Sequence, residues 1–361
     1  MTTTALKTLG ADGLLRFQGL QTDAVSAVAE RFFAEHGSVY ARFGSRGRDA
    51  CREDLAFHLE FLRPVLEFGS PQPMVDYLRW LDGVLAARRV PVAHLALSLD
   101  WLTEFFVSRM DAADGAVVGA ALTAARTNFL DAAAAPSEPP STREPWPETA
   151  PFMAALLAGN QREAWAVANR CLDSGRGLVD IELNVIQPAL YEIGQQWQTN
   201  CVSVAHEHMA TAIAQSVMTM GLLRSQPPAP VNRRALLACV EGNNHCVGLR
   251  MVADALLLDG WDVQYLGANV PTQSLVGHAS QWKPDIVGLS VSFPQQLRAV
   301  KAIIALLDER LGTARPRVII GGLAINHFMS LADMVGADAF SVDSRGALVY
   351  AKHVAEAQGV P

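Results

Sequence analysis

Between residues 234 and 361 five short apolar runs alternate with longer segments of helical periodicity. The runs are Ala235–Val240, Val263–Leu266, Ile286–Val291, Val318–Gly321 and Ala339–Val342, and Leu297–Leu311 is one of the segments between them. Apolar runs this short, bounded by turn residues, have strand length, and the intervening segments are long enough to be helices. A strand that returns to its sheet through a helix pairs parallel with a right-handed crossover. The order therefore predicts an open, five-stranded parallel sheet. Such sheets bind ligands outside the carboxyl ends of their strands. The turn after the first run reads Glu241-Gly-Asn-Asn-His245-Cys-Val-Gly248 and leads into a helix expected over Leu249–Leu258, which presents His245 at that edge.

The rest of the chain reads as helices in two further modules. Ala135-Pro-Ser-Glu-Pro-Pro-Ser-Thr-Arg-Glu-Pro-Trp-Pro147 has the composition of an extended, semi-rigid linker, placed at 135–148. Gln226-Pro-Pro-Ala-Pro-Val231 is a shorter break. In the first module, 1–134, Leu55, Leu59, Leu62 and Leu66 recur at helical spacing up to Gly69-Ser-Pro-Gln-Pro73, and further helices run from Met74 to Leu130 with a break near Pro91. In the middle module, 149–225, Ala154–Leu157, Arg162–Leu172, Val179–Trp197 and Val204–Leu223 suggest a four-helix bundle. The expected architecture is multidomain α and α/β: an all-helical domain, a four-helix-bundle cap, and a flavodoxin-like (Rossmann-like) domain over 234–361.

Composition narrows the function classes. No apolar run approaches the roughly 20 residues of a membrane-spanning helix, and the N-terminus lacks the apolar core of a signal peptide, so a cytoplasmic protein is expected. Five cysteines with no CxxC pair argue against a disulfide framework and a structural zinc site. A formal charge of −7, with no helix-turn-helix bearing a basic face, argues against direct nucleic-acid binding.

His245 and Gly248 are followed after 41 residues by Ser290-Val-Ser292, and after 28 more by Gly321-Gly322. The three elements resemble the corrinoid-binding signature of methionine synthase and its relatives: His-x-x-Gly, then Ser-x-Ser, then Gly-Gly. The resemblance implies that His245 is the lower axial ligand of a corrin cobalt, a role suited to a neutral imidazole. It also implies that Gly248, Ser290, Ser292, Gly321 and Gly322 are small to line a slot for the nucleotide tail. The family usually carries Asp or Glu two residues before the histidine. Here Asn243 stands there, an amide able to accept the same hydrogen bond without charge.

In the middle module Gln187-Pro-Ala-Leu-Tyr-Glu-Ile-Gly194 precedes Trp197, and Glu207-His208 follows Trp197 after nine residues. This pattern resembles the cap of CarH-type photoreceptors. By that likeness Trp197 packs on the adenosyl group of adenosylcobalamin, and Glu207 and His208 contact its polar edges. Those proteins commonly have a histidine directly after the tryptophan. Here it is Gln198, so a second cobalt ligand after illumination comes from His206 or His208, or from neither.

In the first module Cys51, Asp54 and His58 share one helical stripe. The segment Asp49–Leu62 resembles the bilin-binding helix of globin-like phycobiliproteins, in which a cysteine holds the bilin and an aspartate three residues on binds its pyrrole nitrogens. Arg42, Arg46, Arg48 and Arg52 could pair with propionates. The family's arginine directly precedes its aspartate, whereas here Glu53 does and Arg52 lies one residue earlier. The stripe also reads as an ordinary amphipathic helix, or as a globin-like haem site using His58 or His94. Taken together the modules resemble the photocobilins, which use cobalamin and biliverdin. The implied protein is not an enzyme. It is a light sensor, a homo-oligomer whose assembly depends on light and which signals to an unidentified protein partner without contacting nucleic acid or membrane. The rivals are a methyl-carrying corrinoid protein, disfavoured by Asn243 and Glu207-His208, and a cobalamin-binding regulator indifferent to light.

Overall fold

The computed structural model describes residues 6–131, 144–226, 228–328, 332 and 335–357. Most of the proline-rich stretch lies outside the described residues. The chain divides into two compact units, residues 1–137 and 138–361. Among the described residues no helix is long and apolar enough to cross a membrane.

The first unit is built from five helices among its described residues: α1 (Ala11–Tyr40), α2 (Gly44–Phe68), α3 (Gln72–Ala87), α4 (Val92–Arg109) and α5 (Ala112–Leu130). On α2 the periodic leucines 55, 59, 62 and 66 are all buried. The helix stops at Gly69, whose φ of +75° suits glycine and whose N–H closes on the Val65 carbonyl at 2.8 Å. Pro91 precedes α4, and Asp111 caps α5 by accepting the Asp114 N–H at 3.0 Å. Phe17 of α1 and Phe106 of α4 meet at 4.9 Å, and both are fully buried, as are Leu62, Met74, Leu78 and Leu122.

The second unit begins with a four-helix cap. Its helices are α6 (Thr149–Leu157), α7 (Gln161–Asp173), a third interrupted helix, and α10 (Val204–Arg224). The third comprises α8 (Leu178–Ile181), a π turn (Glu182–Ile186) and α9 (Gln187–Gln198). Pro188 explains the π turn. It has no N–H to return to the Asn184 carbonyl, and the Gln187 N–H reaches back five residues to Glu182 instead. The freed Asn184 carbonyl accepts the Trp146 N–H at 3.0 Å and the Thr149 hydroxyl at 2.9 Å. Phe152, Val167, Ile181, Ile186, Ile193 and Val217 form the cap core, which Met251 of the α/β domain also enters.

The α/β domain has strands β1 (Arg234–Cys239), β2 (Asp262–Tyr265), β3 (Ile286–Ser290), β4 (Arg317–Gly321) and β5 (Ala339–Ser341), in the order β2-β1-β3-β4-β5 and all parallel. The sheet is buried on both faces. Leu236 and Ala238 face α12 (Thr272–Trp282) and α13 (Leu297–Leu311). Ala235, Leu237 and Cys239 face α11 (Val247–Leu257) and α15 (Ser344–Ala357). Between β4 and β5 lies the short α14 (Leu323–His327). The flavodoxin-like sheet and the helical cap agree with expectation. The first unit is a helical array, and its likeness to a globin stays a reading from sequence.

Candidate corrinoid site

The strand order reverses between β1 and β3, so the chain leaves these neighbouring strands toward opposite sides and opens a crevice at their carboxyl ends. The turn carrying His245 follows β1, and Ser290–Ser292 closes β3. Asn243 binds the two together. It is fully buried, its Nδ2 donates to the Ser290 carbonyl at 2.9 Å, and its Oδ1 accepts the His245 main-chain N–H at 3.0 Å. Here the structure differs from expectation. The amide oxygen holds the backbone of His245 rather than its ring, so Asn243 places the imidazole without tuning its basicity.

A second buried amide, Gln296, braces the same junction, and sequence reasoning missed it. Its Oε1 accepts the Ser292 and Phe293 N–H groups at 2.8 and 3.1 Å, and its Nε2 donates to the Gly242 carbonyl at 2.9 Å. The available signal was a glutamine at the start of a helix just after Ser-x-Ser. Phe293 in turn stands edge-on to the His245 ring at 5.4 Å and 77°.

The His245 ring keeps solvent access. The protein flanking it disfavours the charged form and lowers its pKa, an effect that the charge of Glu207 opposes. A neutral imidazole is the form that binds metal. A Cβ built on Gly248 meets no atom within 4 Å, so open space lies beside it. Ser290 and Ser292 are buried. Gly321 and Gly322 are small for a more local reason than the slot expected from sequence. A Cβ on Gly322, whose φ is +100°, would lie 2.3 Å from the Val291 carbonyl oxygen, and one on Gly321 would lie 2.8 Å from the Ser341 carbonyl oxygen. The residues present fit a corrinoid: an accessible neutral imidazole at the crevice, free space at Gly248, and two small polar walls.

The cap supplies the facing groups. Trp197, near the end of α9, is half-buried. Ser203 caps α10 by accepting the His206 N–H at 3.3 Å, which sets Glu207 and His208 on the helix's first turn. Glu207 is half-buried and accepts from the Thr211 hydroxyl at 3.1 Å, and its other oxygen meets His208 Nδ1 at 2.5 Å. The His208 side chain is 74% exposed, so Glu207, not His208, is the inward member of the pair. Glu207 lies near enough to His245 for its charge to favour the protonated ring. Gln215 of α10 adds a direct tie, donating to the Cys246 sulfur at 3.7 Å.

In the first unit the structure gathers Cys51 and Asp54 with Tyr40 and His94. The Tyr40 phenol, pushed up to about 12 by burial and by Cys51 and Asp54, meets His94 Nδ1 at 2.9 Å. The His94 and His36 rings lie 4.5 Å apart. Burial, aided by Asp54, pushes the Cys51 thiol up to about 11. Burial and neighbouring Glu53 push Asp54 up to about 6, against the pull of Arg88. Arg52 is exposed, and Arg42 is turned to the Arg88 and Arg89 carbonyls at 3.0 and 2.7 Å. His58 does not join this group. It is buried, its Nδ1 meets the Tyr77 hydroxyl at 2.9 Å, and burial drops its pKa to about 3. It is a satisfied core histidine, which corrects its expected place in a ligand pocket.

Residues 233–353 match the B12 binding domain family, and residues 150–220 match a second B12 binding domain family. Over 172 residues the chain is 32% identical to the HTH-type transcriptional repressor CarA of Myxococcus xanthus, a match covering 46% of this chain and 57% of that protein. The chain thus spans little more than half the length of that repressor. Over 174 residues it is 25% identical to dimethylamine corrinoid protein 3 of Methanosarcina acetivorans, covering 47% of this chain and 79% of that protein. Among solved structures, the monomethylamine corrinoid protein of Methanosarcina barkeri aligns with a TM-score of 0.48 at 20% identity, over 56% of this chain and 96% of that one. With the α/β domain and the cap each matched by a B12 binding domain family, the second unit is a cobalamin-binding module.

Proposed function

We propose that the protein is a light sensor holding adenosylcobalamin between cap and α/β domain. Adenosylcobalamin supplies a cobalt–carbon bond that light breaks. His245 would hold the cobalt, and Gly248, Ser290 and Ser292 would leave room for the nucleotide tail. Trp197 offers an aromatic plane to the adenosyl group. Glu207 accepts hydrogen bonds from the sugar hydroxyls or the base amine, with His208 at the rim. The observation that supports this reading is that α10, which carries the half-buried Glu207, is tied to the turn after β1 through Gln215 and the Cys246 sulfur at 3.7 Å. Contacts to the adenosyl group favour one cap position, and they shift the equilibrium only by their difference between positions. Without those contacts the cap would be free to move, and assembly state or an unidentified protein partner would read the change. On this reading the protein is a cytoplasmic homo-oligomer that contacts neither nucleic acid nor membrane. It binds and signals rather than catalyses, in keeping with the repressor and corrinoid proteins it resembles.

Absorption spectra of the protein loaded with adenosylcobalamin, in the dark and after green light, test this together with size-exclusion chromatography. Irreversible loss of the adenosyl spectrum with a changed elution volume is expected, and unchanged spectra and elution would refute it. The similarity to a dimethylamine corrinoid protein favours one rival, a methyl carrier. A carrier would accept methyl groups and keep its elution volume in light. Changed spectra with unchanged elution would instead mark a regulator indifferent to light.

For the first unit we propose that Cys51, Asp54 and Arg52, with Tyr40 and His94, receive biliverdin. Asp54, poised near neutrality, suits a protonated tetrapyrrole. Burial pushes the Cys51 thiol up and Arg52 lies one residue before the family's arginine position, and both disfavour a thioether. Co-expression with a biliverdin source should give a long-wavelength band that survives purification and is lost from the chain on denaturation. Haem retained in its place, with a Soret band that shifts in a His94→Ala variant, would support the haem rival.

A further inference from the structure

Glu182 opens the π turn of the cap, and Asp254 lies on α11, the helix that starts two residues after His245. Neither residue exposes any surface. The two carboxyl groups lie within hydrogen-bonding reach of each other. Arg250 donates its Nε–H to one oxygen of Asp254 at 2.7 Å. No donor among the described residues reaches either oxygen of Glu182 or the second oxygen of Asp254. An ionised carboxylate only accepts, so two of them in contact are repulsive. One proton converts the contact into a donor–acceptor pair.

We propose that Glu182 and Asp254 share one proton, and that this proton clasps the cap to the helix leading from His245. The proton sits on Glu182. Burial and the Asp254 charge both raise Glu182 well above the carboxylate range, whereas Arg250 holds Asp254 closer to its ionised form. Among the described residues, Asp254 and Arg250 are the charges that act on Glu182. In the cap, α6 carries no ionisable side chain, α9 offers Tyr191 and Glu192, and α10 carries its ionisable groups only at its two ends. On α7, Arg170 pairs with Glu163, and Asp173 is taken by Arg224. Asp180 of α8 pairs with Arg345 of α15, and Lys352 of α15 pairs with Asp259. Tyr265 at the end of β2 feels the same Arg250 and is held protonated by burial.

The pair makes cap closure a proton-uptake event. With the cap lifted, both acids are in water and ionise at ordinary values. Closed, Glu182 holds its proton to higher pH. Between the ordinary glutamate value and the raised one, closure weakens by up to about tenfold per pH unit, and outside that window the dependence vanishes. Since a corrinoid enters under the cap, its exchange should accelerate as pH rises. The inference rests on the cap-over-domain module and holds whichever cobalamin role is correct.

The test uses the full-length apoprotein. Infrared spectra at pH 7 should show a protonated-carboxyl band that shifts in heavy water and is lost in Glu182→Gln. Hydrogen exchange of segments 178–186 and 247–257, corrected for intrinsic rates, should give an opening constant that rises with pH between 5.5 and 8.5. The slope should be flat in Glu182→Gln, whose amide still donates to Asp254, and shallower than in the unmodified protein in Asp254→Asn, where burial alone still raises Glu182. Absence of the band in the unmodified protein, or equal slopes in it and both variants, would overturn the clasp. Neither readout involves light, so a failed photoresponse with an intact clasp counts only against the sensor reading.

Discussion

His245 and His58 were each singled out by their spacing from other residues, and they occupy opposite environments. His245 leaves a strand at the switch point of a parallel sheet, with its backbone fixed by Asn243 and its ring accessible. His58 sits on the buried stripe of α2 with Leu55, Leu59 and Leu62, and its polar edge is satisfied by Tyr77. The contrast shows what a spacing is worth. A histidine in a strand-to-helix turn is placed by loop geometry that core packing does not demand. A histidine at i+7 from a cysteine shares its periodicity with every core leucine of the helix.

The comparison is broken most directly by deletion. His245→Ala should abolish the histidine-ligated cobalamin spectrum while leaving the melting temperature almost unchanged, because the ring is accessible. A ligated spectrum in that variant would remove His245 from the site. His58→Ala should do the reverse. It leaves a void and an unpaired Tyr77 hydroxyl, costing about 2–4 kcal/mol in denaturant unfolding, with the cobalamin spectrum intact. The same residue predicts a pH effect of known sign. Its folded pKa of about 3 lies below the unfolded value, so the unfolded chain binds more protons as pH falls. Stability is lost below about pH 6.5 by up to about 1.4 kcal/mol per unit, until the folded value is reached. A His58→Phe variant should lack that component of the slope.

Smaller effects sharpen the account of the junction. Asn243→Asp restores the acid usual in the resembled family, yet here it replaces the donor to the Ser290 carbonyl with a second oxygen. A loss of about 1–3 kcal/mol is expected, without stronger cobalt ligation. A stabilised protein with a shifted ligand band would show that the side chain turns to the ring instead. Trp197→Ala should weaken retention of the adenosyl group in the dark several-fold, measured by its release rate, while His245 ligation persists.

Much of the α/β domain was legible because its signals are local. Each observed strand begins within one residue of its apolar run, and α13 spans Leu297–Leu311 as read. The Gly-Gly was legible for a different reason than supposed, since its need arises from neighbouring strand ends. The partners were not legible. Gln296 acts on Gly242 across 54 positions of sequence, and Glu182 meets Asp254 across a domain boundary. No periodicity encodes such contacts. Helix α1, 30 residues long, falls in the module read as all-helical but was given no bounds, although Phe17, Ala24, Val28 and Phe32 all lie on its buried side.

Pro188 has a mechanical corollary. By denying one carbonyl its helical donor, it leaves a hook on which the chain arriving at the cap is hung, through Trp146 and Thr149. A shift or twist of that interrupted rod would be felt first at this hook, where Trp146 and Thr149 hold the start of the cap to the freed carbonyl.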